Sequence, residues 1–407
     1  MNIIVCLISL IVIGVLSHYS GKLVELIKLP SLIGMMIVGM LIGPSFLNLV
    51  PEITLNIAPT IKDIALVAVL FIGGLGISLQ QIKQIGRPAV LLSTVPATLE
   101  GFTIAFMSIL CLNFTFVQGA ILGFIIAAVS PAVLIPSMID LINRKVGQDK
   151  AIPQMLLVGS SADDTVAITL FTTFLGIYLQ GSGDKPVPIP VELLMIPLTI
   201  IISMLIGYLI YKISKPLLNK VTNEYGKIII AFGICIIMRL IEKQFNLELF
   251  NSLLTIMIYG FFIRNYVGNS STIIQQKMNK IWTVGKLYLF AFVGMAINPT
   301  LVGEFFLIGV VILSVSLTIR SIGVLLSLIG TNLTTKERIF CIIAYLPKAT
   351  VQSAKASIPL QMGVAGGEIM QAIAILSVLI TAPIGAIGVK LTSDRLLSTD
   401  FNAKFES

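Results

Sequence analysis

The chain has 407 residues, of which 56% are hydrophobic and only 11% charged, and its formal net charge at pH 7 is +8. Soluble globular proteins carry about 25% charged residues, so this composition excludes a soluble protein and indicates a polytopic membrane protein. In such a protein, excess lysine and arginine indicate basic cytoplasmic loops rather than nucleic-acid binding. The four cysteines lie apart inside apolar segments, which excludes a disulfide framework and a C-x-x-C metal site.

Thirteen apolar segments follow one another along the chain. A helix needs roughly 20 apolar residues to cross a bilayer core of about 30 Å, so the predicted fold class is all-α, with about 13 transmembrane helices. The first segment lacks a small-residue cleavage site and is expected to be a retained helix, not a signal peptide. The sixth is long and polar in its middle, which predicts a tilted or interrupted helix. The predicted spans are 2–19, 31–50, 60–79, 87–112, 115–140, 151–180, 191–212, 226–243, 249–266, 283–303, 305–331, 335–361 and 367–391.

The distribution of lysine and arginine predicts the orientation of these spans. With the N-terminus outside and the C-terminus in the cytoplasm, twenty of these residues fall in inside loops, whereas only Lys62, Lys185 and Lys243 fall in outside loops. Such an excess on the cytoplasmic side is typical of membrane proteins. The bias therefore supports both this orientation and the number of spans.

Six ionisable residues fall well inside apolar spans. On insertion scales each costs at least about 2.5–3.5 kcal/mol in the middle of a bilayer, so each must face protein or a water-filled cavity. Six of them in one chain predict a polar centre within the membrane. Arg239, near the end of its span, is expected to snorkel to the interface. The six residues are Glu100, Asp163, Asp164, Arg320, Lys348 and Lys355.

Prolines interrupt two spans at corresponding places. Span 5 contains AAVSPAVLIPSM (127–138), with Pro131 and Pro136, and span 12 contains AYLPKATVQSAKASIP (344–359), with Pro347 and Pro359. Proline removes a backbone donor and clashes with the preceding turn, so both helices are expected to break. The two spans are seven apart, which inverts their orientation. Broken helices in inverted repeats, here spans 4–6 and 11–13, indicate the binding site of a secondary transporter.

The segment GSSADDTVAITLF (159–171) places Asp163 and Asp164 side by side in an apolar span. Neighbouring residues of a helix point about 100° apart, so one carboxylate can face a cation while the other faces a basic partner. The hydroxyl groups of Ser130 and Thr165, with carbonyls freed at the breaks, offer the oxygen ligands that hard cations prefer. The other interpretation of Asp163, and of the buried acid in span 4, is a structural ion pair.

The basic residues of the centre suit two tasks. Arg320 and Lys348 are candidates to pair with the second carboxylate, and Lys348 lies where it can neutralise the carbonyl end of a broken helix. A carboxylate that binds either a cation or a proton makes an exchanger, because the two compete for one group. The alternatives are a potassium/proton antiporter, a sodium-coupled symporter of an organic anion on the same kind of fold, and a channel. An intramembrane aspartyl protease needs aspartates on different helices, which adjacency argues against.

Four segments resemble signatures of the monovalent cation:proton antiporter superfamily. The resemblance covers nearly the whole chain and is nearest to bacterial proteins of the branch that includes the animal NHA-type sodium/hydrogen exchangers. It implies a protein that is not an enzyme and needs no cofactor. The segments are LPSLIGMMIVGMLIGPSFLNLV (29–50), VSPAVLIPSM (129–138), SADDTVAI (161–168) and LPKATVQSA (346–354).

The resemblance implies an NhaA-like antiporter fold with two crossing broken helices, an elevator movement and a homodimer in the plasma (inner) membrane of a bacterium. The lipid bilayer, a monovalent cation and the proton are the remaining partners. Residues 1–85 and 181–303 would supply a dimerisation scaffold with a linker span, and residues 86–180 and 304–391 the ion-transport core. A short cytoplasmic tail, 392–407, would follow.

The resemblance also assigns roles within the centre. Asp164 would carry sodium or lithium in exchange for protons, Asp163 would be held by a basic group, and Ser130 and Thr165 would help to coordinate the ion. Glu100 and Arg320 would form a stabilising pair. Arginine keeps its proton, which favours electroneutral exchange, although Lys348 offers a second exchangeable proton. Lys355 departs from the pattern, because relatives have an apolar residue there; it is expected either to snorkel outward or to place a second charge near the site.

Overall fold

The computed structural model describes residues 2–26, 30–77, 79–180, 189–245, 250–267, 270–297 and 303–398. Within these ranges the regular secondary structure is entirely α-helical, which confirms the predicted class at that level. The helices are α1 Asn2–Leu26, α2 Ser31–Ile42, α3 Glu52–Leu75, α4 Leu79–Leu112, α5 Phe116–Ile126, α6 Pro131–Asn143, α7 Ile152–Gln180, α8 Ile189–Lys220, α9 Glu224–Phe245, α10 Ser252–Tyr266, α11 Ser270–Met295, α12 Phe306–Ser327, α13 Thr335–Ala344, α14 Thr350–Lys355, α15 Ile358–Gln361 and α16 Gly367–Leu396.

Every predicted span overlaps a helix or a set of shorter helices. Not all of these helices are long and apolar enough to cross a membrane, and thirteen crossings therefore stay a prediction. The helical stretches in the described ranges that meet both criteria are eight: Ile4–Leu26, Glu52–Leu75, Ile85–Leu112, Phe116–Asn143, Ile152–Leu179, Leu198–Lys220, Phe306–Ser327 and Gly367–Leu396.

Helix bounds differ from the predicted spans at several places; α3 begins at Glu52 rather than at residue 60, and α11 covers Ser270–Met295 rather than 283–303. α2 ends at Ile42, although the predicted span reaches residue 50. Gly43 precedes Pro44 and is extended, with φ −69° and ψ 172°, because proline disfavours the helical conformation in the residue before it. α7 is one continuous helix of 29 residues, so of the two expectations, a tilted or an interrupted helix, the interruption is wrong and the tilt stays a prediction. Small polar residues alone do not break a helix whose interior lacks proline.

The first broken helix consists of α5 and α6, separated by residues 127–130. Ser130, which precedes Pro131, is extended, with φ −81° and ψ 109°, as expected before proline. Pro131 then occupies the first turn of α6, where its missing N–H would have had no helical partner. Pro131 thus ends one half-helix and starts the next. Pro136 lies inside α6, so the expectation that it also interrupts the helix is wrong.

The second broken helix consists of α13 and α14, which are separated by a stretch that contains Pro347. α13 starts with a capping box, in which the Thr334 hydroxyl and the Glu337 carboxylate each accept a hydrogen bond from the other's backbone amide. Residues 346–349 are not helical. Backbone groups in this stretch need partners from elsewhere in the protein, because a bilayer offers none.

The chain forms two compact units. Unit 1 comprises residues 1–78 and 202–299, and unit 2 comprises residues 79–201 and 300–407. Both broken helices belong to unit 2. The assignment of scaffold and transport roles to parts of the chain stays a prediction.

Glycines allow helices to pack closely within unit 1. A Cβ atom on Gly39 of α2 would lie 2.0 Å from the carbonyl oxygen of Ala291 in α11, and one on Gly294 would lie 2.0 Å from that of Met36. Small residues at such crossings bring helix backbones together, which is a common way to associate helices in a membrane.

The first broken helix is enclosed by other helices of unit 2. Residues 119–135, which include the end of α5, the break and the start of α6, are all buried within the protein, so they have almost no surface to offer to lipid. The broken helix packs closely on α4, because a Cβ atom on Gly123 would lie 2.1 Å from the carbonyl oxygen of Gly101. α4 also contacts α7 and α12. The polar backbone of the break therefore lies inside protein, as the low dielectric of a membrane requires.

Candidate functional site

The two breaks contact each other in unit 2. The backbone amide of Ser130 donates a hydrogen bond to the carbonyl oxygen of Pro347 at 2.8 Å. The side-chain amide of Gln352 donates to the carbonyl oxygens of Ile126 at 3.1 Å and Ala128 at 2.8 Å. Each broken helix therefore supplies partners for backbone groups that the other leaves without helical hydrogen bonds.

The carbonyl end of α5 is covered by basic side chains. The carbonyl oxygen of Ala127 accepts hydrogen bonds from Lys348 Nζ, at 3.2 Å, and from the Arg320 guanidinium. The C-terminal end of a helix carries a partial negative charge, so cations stabilise it. Lys348 thus has the position at a carbonyl end that the sequence suggests, and Arg320 shares it.

The opposite polarity is found at the start of α6. Asp163 Oδ2 accepts a hydrogen bond of 2.7 Å from the backbone amide of Val129. The same oxygen lies 3.6 Å from Arg320 Nη2. Asp163 is fully buried, and both of these partners favour its ionised form. The sequence offers Arg320 and Lys348 as candidates to pair with this second carboxylate. Arg320 is the one that lies beside Asp163.

Glu100 holds both buried basic residues. Its Oε2 atom lies 2.5 Å from Arg320 Nη1 and 2.6 Å from Lys348 Nζ, and the three side chains are no more than 1% exposed. Arg320 Nε also donates to the carbonyl oxygen of Tyr345 at 2.7 Å. This network ties α4 and α12 to the second break. Lys348 therefore has Glu100 as its acidic partner, a pairing that the sequence does not indicate.

Asp164 differs from the other two buried acids. Its side chain is 5% exposed, and in the part of the chain that the structure describes it forms no ion pair. Its Oδ1 atom is buried and has no hydrogen-bond partner there. With Glu100, Asp163, Arg320 and Lys348, it forms a cluster of three acids and two bases. Among the described residues, Asp164 is thus the carboxylate of the cluster that is in no ion pair with a basic side chain.

Hydroxyl groups lie beside the aspartates in the chain or in space. Ser130 is next to Val129, the residue that binds Asp163, and its Oγ atom is buried without a hydrogen-bond partner among the described residues. Thr165 follows Asp164 and is 4% exposed. Burying an oxygen without a partner costs free energy, so a further polar ligand is expected near Ser130.

Two basic residues outside this cluster have partners of their own. Lys355 Nζ lies 5.6 Å from the centre of the Phe171 ring, a cation–π distance. Arg239 of unit 1 forms an ion pair of 3.1 Å with Asp63 and another with Glu242. Arg239 thus has two carboxylate partners, and its position at the membrane interface stays a prediction.

The sequence interpretation missed Gln352, Tyr345 and Thr381. Thr381 Oγ1 accepts a hydrogen bond of 2.9 Å from the backbone amide of Lys348, and the Tyr345 ring lies beneath the Arg320 guanidinium at 5.5 Å. Gln352 is the glutamine of the span-12 segment LPKATVQSA, in which the other polar residues are a lysine, a threonine and a serine. A buried amide next to a broken helix is a signal that could have identified it.

Comparison with known proteins relates this arrangement to a family. Residues 7–394 match the model of the family described as "Sodium/hydrogen exchanger, transmembrane". The chain belongs to the sodium/hydrogen exchanger family. This confirms the resemblance to monovalent cation:proton antiporters, and because members of this family are transporters, it also confirms that the chain is not an enzyme.

Two relatives and a solved structure align with most of this chain. It is 29% identical over 403 residues to sodium/hydrogen exchanger 9B2 of Xenopus tropicalis, covering 93% of this chain and 72% of the relative. It is 26% identical over 411 residues to sodium/hydrogen exchanger 9B1 of Homo sapiens, covering 97% and 79%. The structure of the sodium proton antiporter MjNhaP1 from Methanocaldococcus jannaschii matches with a TM-score of 0.78 at 19% identity, covering 97% of this chain and 99% of that one. That likeness supports the fold.

Proposed function

We propose that the chain exchanges sodium or lithium for protons across a membrane, with Asp164 carrying either the cation or the proton. The observation that carries this proposal is the charge of the buried cluster. Three acids face two bases, so the cluster has a formal charge of −1 when all five groups are ionised. One monovalent cation or one proton on Asp164 makes it neutral. A charged site is costly to move through a low-dielectric environment, which couples the two ions.

Two proposed ligands of the cation are buried oxygen atoms that have no hydrogen-bond partner among the described residues. Asp164 Oδ1 and Ser130 Oγ are buried and unpaired within the described residues, and hard cations prefer such oxygens. Thr165 is proposed as a further ligand through its hydroxyl group. Asp163 is engaged by Val129 and Arg320, so its role is to orient the site rather than to carry the ion. The cation is a transported substrate, and no cofactor is proposed.

The relatives' names support the choice of substrate. Two are called sodium/hydrogen exchangers, and the solved structure is that of a sodium proton antiporter. Every side chain of the site belongs to unit 2. We therefore propose an elevator step, in which the unit that carries the site moves with its ion across the membrane.

The proposed orientation has the N-terminus outside and the C-terminus in the cytoplasm of a bacterial plasma membrane. Contacts within unit 2 support the relative sidedness of the helix ends. Lys150 Nζ lies 2.8 Å from Glu337 Oε2, and the prediction places both residues inside. Gln118 Nε2 donates to the carbonyl oxygen of Ala365 at 2.9 Å, and the prediction places both outside. A homodimer is proposed from the resemblance alone.

Proton flux in proteoliposomes with an imposed pH gradient tests the function. Sodium, lithium and potassium are added in turn to the wild type, to Asp164→Asn and to the control Asp140→Asn, which alters an exposed carboxylate. Flux driven by sodium or lithium that disappears only in Asp164→Asn supports the proposal. Flux driven by potassium alone indicates a potassium/proton antiporter. No cation response in folded wild-type protein contradicts the proposal and favours a sodium-coupled symporter of an organic anion.

A further inference from the structure

Gln352 uses its whole side-chain amide to join the two broken helices. Its Oε1 atom accepts a hydrogen bond of 2.9 Å from the backbone amide of Ala349, at the start of its own helix. Its Nε2 atom donates to the carbonyl oxygens of Ile126 at 3.1 Å and Ala128 at 2.8 Å. The residue is fully buried. One acceptor and two donors are all used, and glutamine or asparagine alone offers that combination.

These bonds determine which oxygens remain available at the end of α5. The carbonyl oxygens of Ile126 and Ala128 bind Gln352, and that of Ala127 between them binds Lys348 and Arg320. Freed carbonyls at half-helix ends are common cation ligands in transporters. Here three consecutive carbonyls already have side-chain donors, so the carboxylate and hydroxyl oxygens beyond them are left for the cation.

The same bonds position the groups that follow. Ala128 directly precedes Val129, whose amide binds Asp163 at 2.7 Å, and Ser130 comes next. Ser130 is fixed on its other side by the hydrogen bond from its amide to the Pro347 carbonyl oxygen, at 2.8 Å. The backbone that presents the Ser130 hydroxyl is therefore held from both ends, and Gln352 holds one of them.

We propose that Gln352 is a positioning residue for cation binding, which keeps the carbonyls of α5 away from the ion and aligns the Ser130 hydroxyl and the aspartate pair. This inference rests on the proposed cation/proton exchange. The hydrogen bonds that the described residues show for Gln352 go to backbone atoms and not to Asp163 or Asp164, so it would act through the backbone of residues 126–130. Residues that orient the ligands of an ion typically change its affinity about 10–100-fold when they are replaced.

Cation affinity in Gln352→Met and Gln352→Glu tests the inference. Methionine keeps the length of the side chain but removes both donors and the acceptor. Glutamate keeps the acceptor for Ala349 and loses donors to α5. The control is Gln361→Met in α15, because Gln361 is exposed and, in the part of the chain that the structure describes, its side chain bonds Ser357 of its own helical turn. The apparent KM for sodium and lithium and the maximal flux are measured in proteoliposomes, and the rise in melting temperature on addition of sodium is measured in detergent.

The expected result is an apparent KM for sodium at least about tenfold higher in both Gln352 variants, with a changed ratio of lithium to sodium affinity and a smaller sodium-dependent rise in melting temperature. The maximal flux and Gln361→Met stay near the wild type. Unchanged KM and ion preference in folded Gln352 variants overturn the inference. Failure of both variants to fold also overturns it, because Gln352 would then be needed for the fold alone. Absence of cation-driven flux in the wild type instead contradicts the proposed function.

Discussion

The backbone amide of Ser130 and the carbonyl oxygen of Pro347 form a 2.8 Å hydrogen bond between the two broken helices. Each residue lies in a stretch that proline withdraws from helical structure, so each has backbone groups without a helical partner. Their contact brings the ends of the half-helices to the three acids and two bases of unit 2. Disturbing one break is therefore expected to affect groups held by the other.

Removal of the Glu100 carboxylate is expected to destabilise the protein strongly. In Glu100→Gln, Arg320 and Lys348 would keep their buried charges and lose the acid that lies 2.5 and 2.6 Å from them. Breaking a buried ion pair from one side costs about 3–5 kcal/mol. Thermal unfolding in detergent measures this loss. The second variant Lys348→Met, combined with Glu100→Gln, should recover part of it.

The control for this prediction is Asp394→Asn, which removes one of the two carboxylates that pair with Arg144 at an exposed site. Its cost should lie within about 0–1 kcal/mol, as for most surface ion pairs. Equal melting temperatures for Glu100→Gln and Asp394→Asn would show that the buried network does not stabilise unit 2.

Replacement of Asp163 should distinguish its hydrogen bond from its charge. In Asp163→Asn, the side-chain carbonyl oxygen still accepts from the Val129 amide, whereas Asp163→Ala leaves that amide without a partner. A buried unsatisfied donor costs about 1–3 kcal/mol, so the alanine variant should melt at a lower temperature than the asparagine variant. Asp164→Ala and Asp164→Asn form the matched pair, because Asp164 Oδ1 has no hydrogen bond in the described residues. If the Asp163 pair differs no more than the Asp164 pair, the 2.7 Å bond has no measurable role.

A methyl group on Gly385 should disturb the second break. A Cβ atom there would lie 2.2 Å from Cγ of Pro347, and the proline ring has little freedom to move aside. Such overpacking typically costs about 1–3 kcal/mol, and the displaced Pro347 carbonyl would weaken its bond to Ser130. We expect Gly385→Ala to lower both the melting temperature and cation-driven flux. Gly86→Ala is the control, since nothing lies within 4 Å of its Cβ position. A flux in Gly385→Ala equal to that of the wild type would show that transport does not depend on the geometry of the second break.

If Asp164 carries both ions as proposed, competition between them is expected to determine the dependence of transport on pH. A proton on Asp164 excludes the cation, so lowering the pH should raise the apparent KM for sodium, by about tenfold per pH unit where the carrier is mostly protonated. Raising the pH should lower it until the carrier is fully ionised. Flux at several sodium concentrations between pH 5 and about 9 measures this dependence. A KM for sodium that is independent of pH, with only the maximal flux changing, would argue against a shared group.

Much of the fold follows from local features of the sequence. Apolar segments predict helices at the correct places, and Pro131 and Pro347 mark the two breaks because proline changes the backbone of its immediate neighbours. The end of α2 at Ile42 also had a local cause in Gly43 and Pro44. The polar middle of α7 does not interrupt the helix, since serine and aspartate can lie in a continuous helix when other helices surround them.

The partners within the site depend on contacts between distant parts of the chain. Buried charges predict a polar centre, and opposite signs allow pairs such as Glu100 with Arg320. The choice of Glu100 as the partner of Lys348, 248 residues away, is a result of packing between α4 and the second break. The bonds of Gln352 to Ile126 and Ala128 likewise depend on tertiary structure, because nothing in the local sequence sets them.

The most direct test of the account is the number of protons released when sodium binds to the purified protein. Isothermal titration calorimetry in buffers of different ionisation enthalpy gives this number without the need for transport. The account predicts proton release close to one per bound sodium at a pH where Asp164 is mostly protonated, with loss of both binding and release in Asp164→Asn. Sodium binding without proton release, or release that persists in Asp164→Asn, would contradict the claim that this carboxylate carries both ions.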